Sequence, residues 1–105
     1  MNRTHHNNEL NKTNIGQKVT LLGWVAKRRN FGAMVFIDLR DRNGITQIVI
    51  DETLTESVKD VRNEYLLEVS GEVILRRDAN AKLATGEIEV KAFKVVIINS
   101  AELTP

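Results

Sequence analysis

Residues 27–47 bring together cationic, aromatic and amide side chains, a combination typical of surfaces that bind single-stranded nucleic acid. The run Lys27-Arg28-Arg29 can neutralise phosphates. Phe36 can stack on an unpaired base, and Arg40 shares its face of an extended strand. Gln47 offers both a donor and an acceptor, which hydrogen bonding to the edge of a base requires.

Each of these residues also has a purely structural interpretation. The charged run can be an ordinary strand end, and Phe36 can be partly buried under a terminal helix or a loop. Gln47 can be a polar strand residue with no ligand. Phe36 and Gln47 together favour the nucleic-acid interpretation more than either residue does alone, because the pair combines stacking with edge recognition.

The side chains that catalysis requires are absent or poorly spaced. The chain has no cysteine, and its only histidines, His5 and His6, are adjacent near the terminus, so no catalytic residue and no metal site are expected. The six glycines lie too far apart for a phosphate-binding loop. Asp38 and Asp41 are three residues apart on a strand and point to opposite faces, which excludes a carboxylate pair acting on one substrate.

Length and composition fit one small domain with its own core. The chain has 105 residues, of which 42% are hydrophobic and 28% charged. Its net charge is only +1, yet the segment from Lys18 to Arg42 has six basic and two acidic side chains. No apolar run is long enough to span a membrane, and the first residues lack the apolar segment of a signal peptide. We expect a cytoplasmic protein without membrane contact.

The alternation of apolar residues indicates a chain made mainly of strands. It predicts five strands: Val19–Val25, Met34–Asp41, Ile45–Ile50, Tyr65–Arg77 and Glu87–Lys91. The side chains predicted to face the core from the second, third and fourth strands are Val35, Ile37, Leu39, Ile48, Ile50, Leu67, Val69, Val73 and Leu75. Gly23 and Gly71 are the predicted bends, and the run Val95–Ile98 is predicted to be buried on both faces.

The hairpin between the second and third strands determines whether Gln47 can act with Phe36. Asp41-Arg42-Asn43-Gly44 is a strong turn signal. A two-residue loop at Arg42-Asn43 or at Asn43-Gly44 places Gln47 on the face of Phe36, whereas a one-residue bulge would reverse that face. A further turn is predicted at residues 30–32, after the basic run.

Two helices are predicted beside the strands. One covers Thr53 to Arg62, with the capping-box spacing Thr53-x-x-Glu56 and an apolar stripe of Leu54, Val58 and Val61. The other is a short N-terminal helix over residues 8–13. Three strands, a helix and two strands predict an all-β, five-stranded OB-fold Greek-key barrel with the helix between strands 3 and 4. A small β-sandwich fits less well, because it leaves that helix unexplained.

The sequence KRRNFGAMVFIDLRDRNGITQ at residues 27–47 closely resembles the N-terminal anticodon-binding domain of bacterial-type aspartyl-tRNA synthetases. Further similar segments are Arg3-Thr4-His5, Val19–Val25 with its Gly-Trp-Val, and Ala84–Val90. The family usually has arginine where Lys27 stands and commonly aspartate at Asn30. Asparaginyl- and lysyl-tRNA synthetases share the OB domain and much of the second strand, so the equivalent domain of either is an alternative.

The resemblance implies which side chains bind RNA. Phe36 would stack on the middle anticodon base, a uridine, and Gln47 would hydrogen-bond its edge. Glu89 would contact the first base, a guanine or its queuine form, while Arg76 and Asn80 would contact the third base. Arg29 would contact the anticodon loop. Lys27 and Arg28 are candidates for RNA binding because they belong to the same basic run.

The resemblance also implies a larger parent protein. Residues 1–105 would be a single OB-fold anticodon-binding domain, with residues 1–16 as an N-terminal extension and residues 101–105 as the start of a hinge. The parent is a class II ligase that attaches aspartate to tRNA, and its ATP and magnesium sites lie in a catalytic domain absent here. We expect the isolated chain to be a monomer that is inactive alone and needs no cofactor. It should bind the anticodon loop of tRNA(Asp). The parent is expected to be a homodimer.

Two other classes of function stay open. A free-standing OB protein could coat single strands without base preference or use its barrel for protein contacts, and the basic segment alone would allow this. A self-sufficient enzyme has the least support, because no convergent set of catalytic side chains is present.

Overall fold

The computed structural model describes residues 3–76 and 86–99, which form a closed five-stranded barrel. The strands are β1 (Lys18–Phe31), β2 (Met34–Arg40), β3 (Ile45–Ile50), β4 (Leu66–Leu75) and β5 (Ile88–Asn99). They are arranged in the order β1-β2-β3-β5-β4, and β1 closes the barrel by pairing with both β2 and β4. All pairs are antiparallel except β3 with β5. The all-β OB-fold prediction is therefore confirmed.

Two glycines lie where neighbouring strands approach each other most closely. A Cβ atom built on Gly23 would lie 2.5 Å from the carbonyl oxygen of Arg40, and one built on Gly71 would collide with the carbonyl oxygen of Lys91. Any larger residue would push these strands apart. Both positions predicted as bends are thus sites where the barrel requires glycine.

The core consists of the inward-facing side chains of all five strands. Most of the predicted core residues are buried as expected: Val35, Ile37, Leu39, Ile48, Ile50, Leu67, Val69 and Val73. The prediction for Leu75 was wrong, because this residue ends β4 and is 60% exposed. The run Val95–Ile98 is also not buried on both faces, and Ile97 is exposed. Within the described part of the chain, that second half of β5 pairs with β4 alone, since its pairing with β3 is confined to Val90 and Lys91.

The β2–β3 hairpin has the register that the sequence predicted for a two-residue loop at Arg42-Asn43. The backbone N–H of Asp41 donates to the carbonyl of Gly44 at 3.0 Å, which closes the loop. Asp38 is consequently opposite Gln47, and Gln47 projects from the same face as Phe36.

A bulge in β1 decides which basic side chains reach that outer face. Between Val25 and Lys27 the pairing with β2 shifts by one residue. Lys27 then lies opposite Asp38 and Arg29 opposite Phe36, whereas Arg28 lies opposite the inward-facing Ile37. The strand continues to Phe31, so the turn lies at residues 32–33 and not at the predicted residues 30–32.

The predicted helix from Thr53 to Arg62 is wrong: only a 3-10 turn, Thr55–Val58, forms there. The Asp51 carboxylate accepts hydrogen bonds from the backbone N–H and hydroxyl of Thr53, at 3.0 and 2.5 Å, which favours a local turn over the capping box. The guanidinium of Arg28 also donates to the carbonyls of Val58 and Val61, groups that a continuing helix would use itself. The apolar stripe still seals the barrel, since Val58 and Val61 are buried.

The predicted N-terminal helix over residues 8–13 is replaced by two 3-10 turns, Asn7–Glu9 and Lys12–Asn14. Asn11 separates them, because its side chain accepts from the backbone N–H of Thr13 at 2.8 Å and so begins a new turn. Asn7 is fully buried, and its amide donates to the carbonyls of Leu39 and Gly44 at 2.8 and 3.2 Å. No helix within the described ranges is long and apolar enough to cross a membrane.

Candidate nucleic-acid interface

A groove of about 530 Å³ lies on the outer face of the barrel, where β1, β2, β3 and β5 come together. We call it the outer groove, and its lining residues are Arg29, Phe31, Met34, Phe36, Gln47, Arg76 and Glu89. Five of these seven residues are among those that the sequence and the resemblance singled out. The hairpin register and the β1 bulge described above bring them to one place.

Two phenylalanines form the apolar part of the outer groove. The rings of Phe31 and Phe36 meet edge to face, with centroids 5.5 Å apart and an interplanar angle of 79°. Phe36 is half-buried and lies outside the barrel core, while Phe31 is largely exposed. Sequence reasoning missed Phe31 because it assigned that residue to a turn. Its position next to the basic run was the available signal.

Four polar side chains form a connected hydrogen-bond chain, which we call the polar relay: Asp38, Arg29, Gln47 and Glu89. Arg29 donates from Nη1 and Nη2 to the two carboxylate oxygens of Asp38, both at 2.9 Å. The same Nη2 donates to Oε1 of Gln47 at 3.0 Å. Nε2 of Gln47 in turn donates to Oε1 of Glu89 at 2.8 Å. The relay therefore crosses β1, β2, β3 and β5 on the outer face.

The charges of the relay fix the orientation of the Gln47 amide. A guanidinium can only donate and a carboxylate can only accept, so Oε1 must face Arg29 and Nε2 must face Glu89. Gln47 is 7% exposed, yet its contacts with other described residues leave one position unused at each end of the amide, namely one N–H and one oxygen lone pair. The hydrogen bond to Asp38 raises the pKa of Arg29, although burial of the guanidinium acts to lower it. The guanidinium therefore stays charged.

The remaining basic residues occupy different environments. Lys27 is exposed on the outer face, whereas Arg28 turns to the carbonyls of Val58 and Val61. Arg76 lines the outer groove just after β4. Arg40, expected beside Phe36, forms an exposed ion pair with Glu64 at 3.2 Å and does not line the groove. Asn80 lies outside the described residues.

The two aspartates of the second strand have separate roles, as their spacing predicted. Asp38 belongs to the relay, while the Asp41 side chain accepts from the backbone N–H of Asn7 at 3.0 Å and of Asn43 at 2.7 Å. Among residues 3–76 and 86–99, no three His, Cys, Asp or Glu side chains lie close enough to hold a metal ion.

Comparison with known proteins connects this geometry to a family. The model of the tRNA anticodon family, described as an OB-fold nucleic acid binding domain, matches residues 19–98. The chain belongs to this family. The anticodon-binding OB-fold domain is 51% identical, over all of its 105 residues, to an aspartate–tRNA ligase of Mycoplasma mycoides. The resemblance to aspartyl-tRNA synthetases seen in the sequence is confirmed.

Solved structures agree with the fold of the domain. An asparaginyl-tRNA synthetase from Pyrococcus horikoshii matches with a TM-score of 0.82 and 27% identity, over 100% of this chain and 24% of that chain. An aspartyl-tRNA synthetase from Entamoeba histolytica has a TM-score of 0.86 at 19% identity, over 100% of this chain and 23% of that one, and shows the fold alone. The OB-fold domain spans 18% of the length of the Mycoplasma relative.

Proposed function

We propose that this domain reads the anticodon of tRNA(Asp) as part of an aspartyl-tRNA synthetase. The observation that carries the proposal is the presence in one groove of the Phe36 ring and of a Gln47 amide with fixed orientation. Sequence-specific RNA recognition generally targets unpaired bases in this way, by stacking and by contacts to base edges. We propose tRNA(Asp) as the cognate tRNA because the relatives are aspartate–tRNA ligases.

The middle anticodon base, a uridine, is the proposed ligand of Phe36 and Gln47. Stacking on an aromatic ring contributes about 1–3 kcal/mol per base. Uracil carries one ring N–H donor between two carbonyl acceptors. The lone pair left on Oε1 of Gln47 can accept from that ring N–H, and the N–H left on Nε2 can donate to a neighbouring carbonyl.

The other two bases are proposed to meet charged side chains. Glu89 uses one carboxylate oxygen for Gln47, and no described side chain bonds the other, which is proposed to accept from the donor edge of a guanine or queuine at the first position. Arg76 and Asn80 are proposed to contact the third base. For Asn80, which lies outside the described residues, the proposal rests on the family resemblance alone.

The basic side chains are proposed to hold the backbone of the anticodon loop. Arg29 has N–H groups left after bonding Asp38 and Gln47, and Lys27 is exposed beside it. Arg28 is proposed to act only through its positive field, because its guanidinium is engaged by two backbone carbonyls.

The proposal extends to the parent protein. Residues 1–105 are proposed to be one OB-fold domain, with an extension at residues 1–16 and a hinge beginning at residues 101–105. ATP and magnesium are proposed to bind only in a separate catalytic domain of a homodimeric, cytoplasmic enzyme. The isolated domain is then a monomer that binds tRNA without charging it.

A titration with three ligands at one stated salt concentration tests this function. They are an aspartate-type anticodon stem-loop, the same stem-loop with its middle uridine changed, and oligo-dT. We expect the first to bind most tightly, and Phe36→Ala and Gln47→Ala each to weaken it by about tenfold without unfolding the domain. Phe93→Ala, an exposed aromatic outside the groove, is the matched control. Equal affinity for all three ligands would instead indicate a free-standing single-strand binder.

A further inference from the structure

We infer that Asp38 is a positioning residue for base selection: through Arg29 it fixes which end of the Gln47 amide donates and which accepts. The inference rests on the proposed function, since it concerns how the same groove selects its middle base. Asp38 does not line the outer groove, so it acts through its neighbour and not by touching RNA.

The first step is the contact between Asp38 and Arg29. Both carboxylate oxygens accept from the guanidinium, at 2.9 Å each, with side chains 24% and 26% exposed. Two parallel bonds hold the plane of the guanidinium as well as its position, because the fork of an arginine matches the geometry of a carboxylate. A lysine at position 29 could not be held in this way.

Arg29, held in place by Asp38, in turn orients the Gln47 amide. The Nη2 group that bonds Asp38 is the same group that donates to Oε1 of Gln47, so the carboxylate determines where this donor points. Glu89 acts from the other side and accepts from Nε2. If the Gln47 amide were rotated by half a turn, its NH2 group would face the guanidinium of Arg29 and its oxygen would face the carboxylate of Glu89. Both contacts would be unfavourable.

The third step concerns the base. The Watson–Crick edge of uracil has a donor at N3, whereas that of cytosine has an acceptor at N3 beside an amino donor. An amide with fixed orientation presents its donor and acceptor at fixed places and fits one of these patterns better. An amide free to rotate can adjust to either base. Holding Arg29 in place should therefore increase discrimination more than affinity.

The test measures the affinity ratio between stem-loops with uridine and with cytidine at the middle position. The proteins are the unchanged chain, Asp38→Asn, Gln47→Ala and the double variant. We expect Gln47→Ala to reduce the ratio by about tenfold and Asp38→Asn by about threefold. In the Gln47→Ala background, Asp38→Asn should cause no further reduction, because the residue through which it acts is gone.

Two additional variants separate positioning from folding and charge. Arg29→Lys keeps the positive charge but loses the fork of the guanidinium, so it should reduce the affinity ratio as Asp38→Asn does. It therefore tests the inference independently if Asp38→Asn folds poorly. Glu56→Gln also removes one negative charge, from an exposed pair with Lys59 outside the groove, and should leave the ratio unchanged. Thermal unfolding of each variant verifies that the domain is folded.

The outcomes distinguish this inference from the proposed function. If Gln47→Ala changes the ratio while Asp38→Asn and Arg29→Lys do not, the relay does not set base selection and the inference is wrong. It is also wrong if Asp38→Asn weakens both stem-loops equally, or still reduces the ratio without Gln47. If Gln47→Ala itself leaves the ratio unchanged, the proposed function fails and the inference fails with it.

Discussion

Two buried amides in this domain, those of Asn7 and Gln47, have opposite surroundings. Asn7 is fully buried and donates to two backbone carbonyls, those of Leu39 and Gly44. Gln47 is almost as buried, but within residues 3–76 and 86–99 its amide bonds the side chains of Arg29 and Glu89 and no backbone group. The first amide joins the N-terminal segment to the β2–β3 hairpin, and the second lies at the floor of the outer groove.

This difference distinguishes an amide that serves the fold from one that we propose serves binding. Backbone carbonyls cannot move without disturbing the barrel, so a change at Asn7 should mainly affect stability. Charged side chains at an open groove can rearrange, and water can replace a lost bond there. A change at Gln47 should therefore mainly affect RNA binding.

The largest expected effect is the loss of stability in Asn7→Asp. Oδ1 of Asn7 has no hydrogen-bond partner among the described residues, so the two amide donors carry the contact. A carboxylate would face two carbonyl oxygens and the nearby Asp41, and we expect it to cost about 3 kcal/mol of unfolding free energy. Urea unfolding measures this loss. Asn8→Asp, at the exposed neighbouring residue, is the control, and an equal loss in both variants would contradict the account.

Gln47→Glu should have the opposite profile. The new carboxylate can still accept from Arg29, but it faces Glu89 and has no N–H for the base. We expect the affinity for the uridine stem-loop to fall by about tenfold, with a smaller stability loss than in Asn7→Asp. Gln17→Glu adds the same charge at an exposed site and should change neither quantity. A stability loss equal to that of Asn7→Asp would remove the distinction between the two amides.

Phe31→Ala should weaken RNA binding through its effect on the neighbouring Phe36 ring of the outer groove. Phe31 supports the Phe36 ring edge to face and is 63% exposed, so its removal should cost little stability. We expect a loss of about 1 kcal/mol in stem-loop binding, which is the typical contribution of an aromatic pair. Fluorescence titration of a labelled stem-loop measures this loss. An unchanged affinity would show that Phe36 stacks on the base equally well without Phe31 beside it.

The smallest effect is expected at Asp51, where an exposed turn depends on a charged acceptor. Hydrogen bonds from the Thr53 hydroxyl and backbone lower the pKa of Asp51, so its contribution to stability is full above the ordinary aspartate pKa and is lost as the pH falls through the lowered value. Thr53→Val should raise that pKa towards its ordinary value, as an NMR titration would detect. Thr55→Val, which removes a bond to the carbonyl of Glu52, should leave it unchanged.

Much of the fold could be predicted from the sequence because strict alternation fixes which side chains enter the core. The hairpin at Arg42-Asn43 likewise determined the face of Gln47, as the register of β2 and β3 confirms. Helical spacing between strands 3 and 4 was misleading, because Asp51 and Arg28 provide hydrogen bonds that compete with a helix.

The candidate site could be predicted only in part. Five of its seven lining residues share one strand face or follow from the resemblance, whereas the relay depends on the bulge after Val25, which brings Arg29 within reach of Asp38. No local pattern in the sequence marks that bulge. The pairing of Asp38 with Arg29 therefore becomes apparent only when β1 and β2 are placed side by side.

NMR titration of the side-chain amides of Gln47 and Asn7 with the aspartate-type stem-loop compares the two amides in one experiment. We expect the Gln47 amide signals to shift and saturate with the stem-loop, and to shift less when its middle uridine is replaced, while the Asn7 signals stay in place. If the stem-loop binds while the Gln47 signals remain unchanged, Gln47 does not contact the anticodon.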